Sequence, residues 1–119
     1  MNVRAARGAI RVNEDTPESV LRSTTRLLEA ILQRNEIEHD DLVSAFFTVT
    51  HDLRSVFPAE AARRMGLGRL PLLCAQEIPV EGSMPSVVRV LVHFYTDRSP
   101  QDMVHVYLDG AETLRDDLG

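Results

Sequence analysis

Apolar positions recur along the chain with two different periods. Between Thr16 and Asn35, the residues Val20, Leu21, Thr24, Leu27, Leu28, Ile31 and Leu32 fall three and four apart. That spacing puts them on one face of a helix of about five turns. Thr16 suits the cap, Pro17 the first helical position and Glu18 the positive end of the helix dipole. Asn35 is expected as a left-handed stop. Elsewhere the pattern alternates or runs continuously apolar, which predicts strands at Val3 to Val12, Val43 to Thr50, Leu72 to Glu77, Ser86 to Tyr95 and Val104 to Leu108. In the first of these, Gly8 marks a bulge or a close backbone approach. Phe57 to Met65 reads as a short second helix with Pro58 near its start, closed by Gly66 and Gly68. Val80 to Pro85 reads as a mobile loop.

The order is β-α-β-α-β-β-β. It predicts an α/β (α+β) fold, a mixed five-stranded sheet with two helices, in a single domain spanning residues 1–119. Two helices cannot cover both faces of five strands. The strands at Val43 to Val49 and Val87 to Val92 are too apolar for water on one side, so a homo-oligomer is expected.

Charge and composition narrow the function. With 13 basic against 18 acidic residues the chain carries −5, and it has no basic run, so nucleic acid is not an expected partner. Every basic residue is arginine, so each positive site is a planar fork suited to carboxylates. A lone cysteine, Cys74, leaves no intramolecular disulfide and no CxxC site. No apolar run reaches membrane-span length and the N-terminus lacks a signal-peptide core, so a soluble cytoplasmic protein is expected, with no membrane partner. There is no GxSxG, HExxH, Walker or Rossmann pattern to suggest acyl transfer, a metal or a nucleotide.

What remains is charge set among apolar strands. Leu72-Leu73-Cys74-Ala75-Gln76-Glu77 ends in a carboxylate that shares a face with Leu73 and Ala75, opposite Cys74 and Gln76. Val87-Val88-Arg89-Val90-Leu91-Val92 carries one arginine among aliphatics. A carboxylate on a buried face needs a partner, and Arg89 is the candidate for Glu77. Taken singly, each residue also has an ordinary reading. Arg89 suits a solvent-facing strand position, Glu77 a solvated strand end, and Arg7 and Arg63 the surface. Tyr107 and Phe57 suit the core, and Cys74 a small buried hydrophobe.

Taken together, a series of segments resembles the monofunctional α/β chorismate mutases, the AroH class. The segments are Val3-Arg4-Ala5-Ala6-Arg7-Gly8-Ala9, Glu14-Asp15-Thr16, Thr48-Val49-Thr50 with Asp52-Leu53, Phe57-Pro58-Ala59 and Ala61 to Arg63. They continue through Pro71 to Cys74, Gln76-Glu77, Arg89-Val90, Thr96-Asp97, Pro100-Gln101-Asp102, His105-Val106-Tyr107-Leu108 and Leu114-Arg115. The resemblance covers essentially the whole chain. It implies a homotrimer, a pseudo α/β-barrel with active sites at the subunit clefts, which rearranges chorismate to prephenate in aromatic amino-acid biosynthesis without metal or cofactor.

By position, the resemblance implies that Arg89 donates to the ether oxygen of the breaking bond and that Glu77 accepts from the substrate hydroxyl while holding Arg89. Cys74 and the Leu73 carbonyl are implied near that hydroxyl, and Arg7 and Tyr107 at a carboxylate. Phe57 and Arg63, with Ala59 beside them, are implied from the neighbouring subunit, and Leu114 and Arg115 near the entrance. Leu114-Arg115-Asp116-Asp117-Leu118 departs from the family's Leu-Arg-Pro-Asp-Leu, so this tail is less constrained. Cys74 and Glu77 fall on opposite faces of a regular strand, so one site for both implies a bend near Ala75-Gln76, or Cys74 at the site's edge. The rival readings are a trimeric enamine or imine deaminase and a non-catalytic carboxylate-binding trimer of similar architecture.

Overall fold

The computed structural model describes residues 1–118, with side chains through Leu114. The ten-residue strand Val87–Thr96 (β4) is the axis of a mixed five-stranded sheet. It pairs antiparallel with Asn2–Arg11 (β1) on one edge and with Leu42–Val49 (β2) on the other. Leu72–Gln76 (β3) adds parallel to β2, and Val106–Leu108 (β5) parallel to β1, giving the order β3-β2-β4-β1-β5. Helices Pro17–Arg34 (α1) and Ala59–Arg64 (α2) pack on one face. A 3-10 helix follows β5 at Ala111–Leu118.

The helix-covered face follows from periodicity. Val20, Leu21, Thr24, Leu27, Leu28, Ile31 and Leu32 are all buried on α1, as their spacing requires. They meet Ala6, Ile10, Phe47, Val88, Val90, Val92 and Phe94 of the sheet, every one of them buried. Burying one such side chain stabilises the fold by about 1.5–3 kcal/mol, so this face carries most of the stability. Thr16 caps α1 by accepting the Ser19 amide at 3.2 Å, with Pro17 at the first turn.

Gly8 resolves in favour of close approach. The β1–β4 register runs without a shift. A Cβ at Gly8 would lie 2.6 Å from the Val106 carbonyl oxygen and 3.0 Å from the tips of Leu27 and Ile31.

The end of α1 and the start of β5 differ from expectation, and one residue accounts for both. The left-handed position at the end of α1 is Glu36 (φ 54°), while Asn35 has φ −101°. Asn35 is buried because its amide serves another strand: it donates to the carbonyls of Ile31 and Val104 at 2.9 Å and accepts from the Val104 amide at 2.7 Å. A buried backbone needs its polar groups satisfied. The side chain of Asn35 does this for Val104 where a strand neighbour otherwise would. β5 therefore begins at Val106 and not at Val104. In α2, regular turns start at Ala59, with Pro58 as the cap residue, and Gly66 (φ 89°) closes the helix.

The face away from α1 and α2 is open except near Ala9, Val87 and Tyr107, where the 3-10 helix after β5 packs through Ala111. Register places Val3, Phe46, Leu73, Leu91 and Tyr95 there, all exposed. His93 stands among them, edge-on to Phe46 and 3.3 Å from the Ser44 hydroxyl. A sheet face this apolar does not suit water.

Candidate active site

Strand register assembles the site on the open face. One row crosses the whole sheet: Ala75 beside Thr48, Thr48 beside Arg89, Arg89 beside Ala9, and Ala9 beside Tyr107. Arg7 lies one row over, beside Leu91. Glu77 continues β3 past its last assigned residue, because its amide donates to the Val49 carbonyl at 2.8 Å. Two positions after Ala75, its side chain returns to the same face.

The expected ion pair forms there. Arg89 Nε lies 3.0 Å from Glu77 Oε1 as an ion pair, with both side chains half-buried. The Thr48 hydroxyl donates to the same oxygen at 2.7 Å. Glu77 Oε2 and the terminal nitrogens of Arg89 have no partner among the described residues. A guanidinium paired at Nε and a carboxylate occupied at one oxygen leave donors and an acceptor available to a ligand.

Arg89 stands between two hollows. A hollow of about 330 Å³ is bounded by Arg7, Phe46, Thr48, Leu91 and Tyr107. A larger one, about 890 Å³, is bounded by Glu77, Asp52, Leu114 and the loop from Ile78 to Pro85. Tyr107 is nearly buried and packs with Ala9, Val87 and Ala111, while Met84 and Leu114 lean on that cluster. The small Ala9 lets the Tyr107 ring settle beside Arg89's row.

Two carboxylates brace the loops around these walls. Ser86 sits at φ 59°, unusual for a residue with a side chain, at the start of β4. Asp52 Oδ2 accepts both its amide and its hydroxyl at 2.9 Å. Burial pushes the Asp52 carboxyl up, but hydrogen bonds from Thr50 and Ser86 outweigh it and leave the pKa below the ordinary value. Asp15 accepts the amides of Arg54 and Ser55 at 3.0–3.1 Å and so ties down the segment before Phe57. Hydrogen bonds from Ser55 and the Arg54 amide lower its pKa too.

On the β1 edge, His105 Nδ1 accepts the Arg7 amide at 3.1 Å. Burial, and then the charge of Arg7, lower the His105 pKa and favour the neutral ring this bond needs.

The remaining residues lie elsewhere on the chain. Cys74 faces the helix side, half-buried against the core, in a hollow of about 520 Å³ with Phe57, Pro58, Val49 and Leu53. The β2–β3 register is continuous, so the strand has no bulge at Ala75-Gln76 that would turn Cys74 toward Glu77. Phe57 is largely exposed at the rim of that hollow. Ala59 is buried in the core. Arg63 is exposed on α2 and pairs with Glu60 at 3.2 Å; together with Arg64 it lowers the Glu60 pKa. Leu73 is exposed on the open face, and the side chain of Arg115 lies outside the described residues. One chain therefore brings together Arg89, Glu77, Arg7, Tyr107 and Leu114, and holds Phe57 and Cys74 apart from them.

Sequence reasoning missed Thr48 and Asp52 as individual site residues. Alternation places Thr48 on the face of Phe46, but only the pairing of β2 with both β3 and β4 brings it to Glu77. Among the described residues no group of three or more His, Cys, Asp or Glu is arranged to hold a metal ion, and no helix is long and apolar enough to cross a membrane.

Comparison with known proteins decides the family. The profile described as "Chorismate mutase type I" matches residues 3–118. The chain belongs to the chorismate mutase type I family. Within the family, it is 54% identical over 118 residues to "Chorismate mutase AroH" of Thermus thermophilus, covering 98% of this chain and 96% of the relative. It is 41% identical over 120 residues to "Chorismate mutase AroH" of Bacillus subtilis (strain 168), covering 99% and 94%. The solved structure of a chorismate mutase from Clostridium thermocellum superposes with a TM-score of 0.90 at 43% identity, covering 92% of this chain and 97% of that one. The mixed sheet with two helices is thus the type I architecture.

Proposed function

We propose that this protein is a chorismate mutase that converts chorismate to prephenate by a concerted [3,3] rearrangement in the cytoplasm. The observation that carries the reading is the Arg89–Glu77 pair, set beside Arg7 and Tyr107 on an otherwise apolar sheet face.

The rearrangement needs no nucleophile and no obligatory proton transfer, so the protein's task is orientation and electrostatics. Chorismate is a dicarboxylate, and Arg7 with Tyr107 supplies a carboxylate site. Holding both ends selects the folded reactive conformer. As the C–O bond breaks ahead of C–C formation, negative charge grows on the ether oxygen. The terminal nitrogens of Arg89 donate to that oxygen and Glu77 Oε2 accepts from the substrate hydroxyl. A full unit charge about 3 Å from a guanidinium gains roughly 5 kcal/mol at an effective dielectric of about 20. The partial charge of the transition state gains part of that, and the ground-state ether gains less. That difference is what accelerates the reaction.

The site is completed across a homotrimer interface. The exposed Val3, Phe46, Leu73, Leu91 and Tyr95 support burial of the open face by other copies. Phe57 and Cys74 share a hollow on the other side of the sheet from Glu77. They therefore reach an Arg89 site together, as one wall contributed by the neighbouring subunit along with Arg63 and the Ala59 backbone. This arrangement puts Cys74 and Glu77 in one site with no bend in the strand. Leu114 closes the edge of the larger hollow, and Arg115 follows it at the entrance.

Purified protein assayed by loss of chorismate absorbance, with acid conversion of the product to phenylpyruvate, tests the activity. Arg89→Ala is expected to lower kcat by about 10³-fold or more, since one neutral donor to a developing oxyanion is worth about 10²–10³. Arg89→Lys is expected to stay impaired, because a point charge does not reproduce the fork. Turnover by Arg89→Ala close to wild type defeats the assignment. A light-scattering mass of three chains is expected, and a monomer defeats the shared site.

A further inference from the structure

We propose that Thr48 is a positioning residue for the catalytic pair, selecting which oxygen of Glu77 is left for the substrate. This rests on the reading of the protein as a chorismate mutase.

The geometry brings the Thr48 hydroxyl and the Arg89 guanidinium to one oxygen. Glu77 Oε1 accepts a hydrogen bond from the Thr48 hydroxyl at 2.7 Å and lies 3.0 Å from Arg89 Nε as an ion pair. Thr48 and Arg89 are register partners across β2 and β4, so their relative position is set by the backbone ladder. Glu77 has less support. It lies one residue beyond β3, tied to the sheet by its amide bond to Val49, and a loop follows it. A glutamate there has three free side-chain torsions, and an ion pair with Arg89 alone lets the carboxylate pivot about that contact. The Thr48 hydroxyl removes the pivot. Threonine is stiff at its first torsion, so its oxygen is a fixed point. With Oε1 held by the Thr48 hydroxyl beside Arg89 Nε, Oε2 is the oxygen left for a substrate donor, and the terminal nitrogens of Arg89 remain available to the substrate.

Thr48 touches none of the reacting atoms in this scheme. It acts through Glu77, and through Glu77 on the aim of Arg89. Its loss therefore falls on the step in which charge develops, lowering kcat more than it raises KM.

The experiment compares Thr48→Val, which keeps the shape and removes the hydroxyl, with Thr48→Ser, which keeps the hydroxyl. Both are made in the wild-type and Glu77→Ala backgrounds, with melting temperatures measured alongside. Thr48→Val is expected to lower kcat about tenfold, consistent with the loss of one hydrogen bond to a charged group, with KM changed less than threefold. Thr48→Ser is expected to stay within about threefold of wild type. In the Glu77→Ala background, Thr48→Val is expected to add no further loss, since residues acting through one another are not additive. Wild-type kcat in Thr48→Val overturns the proposal. So does a serine variant as impaired as the valine one, or a full tenfold loss with Glu77 already gone. A crystal structure of Thr48→Val gives a readout independent of turnover. The Glu77 carboxylate is expected to leave its wild-type position or to occupy more than one rotamer, and an unmoved Glu77–Arg89 contact overturns the proposal. Failure of wild-type protein to turn over chorismate refutes the functional reading instead, and the crystal comparison still decides the role of Thr48.

Discussion

The two faces of the sheet solve opposite problems with the same five strands. On the helix side the positions Val88, Val90, Val92 and Phe94 of β4 are aliphatic or aromatic and buried. On the other side the alternate positions read Val87, buried with Tyr107 and Ala111, and then Arg89, Leu91, His93 and Tyr95, all at least partly exposed. The first face is finished within one chain. The second mixes a guanidinium, a carboxylate and exposed apolar groups, a combination that is poor for a free surface and suitable for a dry cleft between subunits. Stability and chemistry are thus separated by the pleat: one residue along a strand moves from one task to the other.

The largest test of this separation is a reciprocal pair of variants. Arg89→Ala is expected to abolish most turnover yet shift the melting temperature little, because a half-exposed ion pair contributes about 0–1 kcal/mol to stability. Ile31→Ala, on the buried face of α1, is expected to destabilise the fold by about 2–5 kcal/mol while kcat of the folded fraction stays near wild type. Equal damage to both properties from either variant means the faces are not independent.

That division also explains what the sequence alone made legible. The helix face announced itself through period: the α1 stripe, the strand positions and the mixed class all follow from apolar spacing, and each agrees with the observed burial. The open face did not, because its meaning depends on pairing order. Nothing in the β2 segment says that β3 will lie on one side of Thr48 and β4 on the other. Asn35 misled for a related reason. Its type suits a left-handed stop, but a distant backbone at Val104 claimed its amide, and Glu36 took the positive φ instead. Arg89 and Glu77 were legible as an awkward pair by pattern, while their roles came from the family resemblance. Alternation was also right to separate Cys74 from Glu77.

A glycine offers a sharper test, since it lies on the helix face and sits between Arg7 and Ala9 of the site. Gly8→Ala is expected to destabilise by roughly 1–3 kcal/mol, the usual range for overpacking. Its Cβ meets a backbone oxygen at 2.6 Å, and a backbone yields less easily than a side-chain tip. That oxygen belongs to Val106, so β5 must move and carry Tyr107 with it. Unlike Ile31→Ala, this variant is therefore expected to raise KM for chorismate as well. Chemical denaturation and steady-state kinetics on the same preparation check it, and a purely thermodynamic effect breaks the link from Gly8 to Tyr107.

The smallest expected effect lies at the sheet edge, where His105 ties the entry of β5 to β1. Its Nδ1 accepts the Arg7 amide and must be unprotonated to do so. Burial, then the nearby Arg7 charge, hold its pKa below the ordinary 6.5. Above about pH 6.5 the ring is neutral in folded and unfolded chains alike, and the contact is fully present. As pH falls, the unfolded chain takes up the proton first, so stability declines until pH passes below the folded pKa. The lowered carboxylates Asp15, Asp52 and Glu60 have ordinary values of 3.8 to 4.5 and lose their contribution only at more acid pH. The window between about pH 7 and 5 is therefore where His105 is to be read. His105→Asn keeps an acceptor at the position of Nδ1 without a titrating ring. It is expected to hold stability at pH 7 and to flatten the decline toward pH 5. An identical slope in both proteins assigns the decline to another group and removes His105 from the account of the edge.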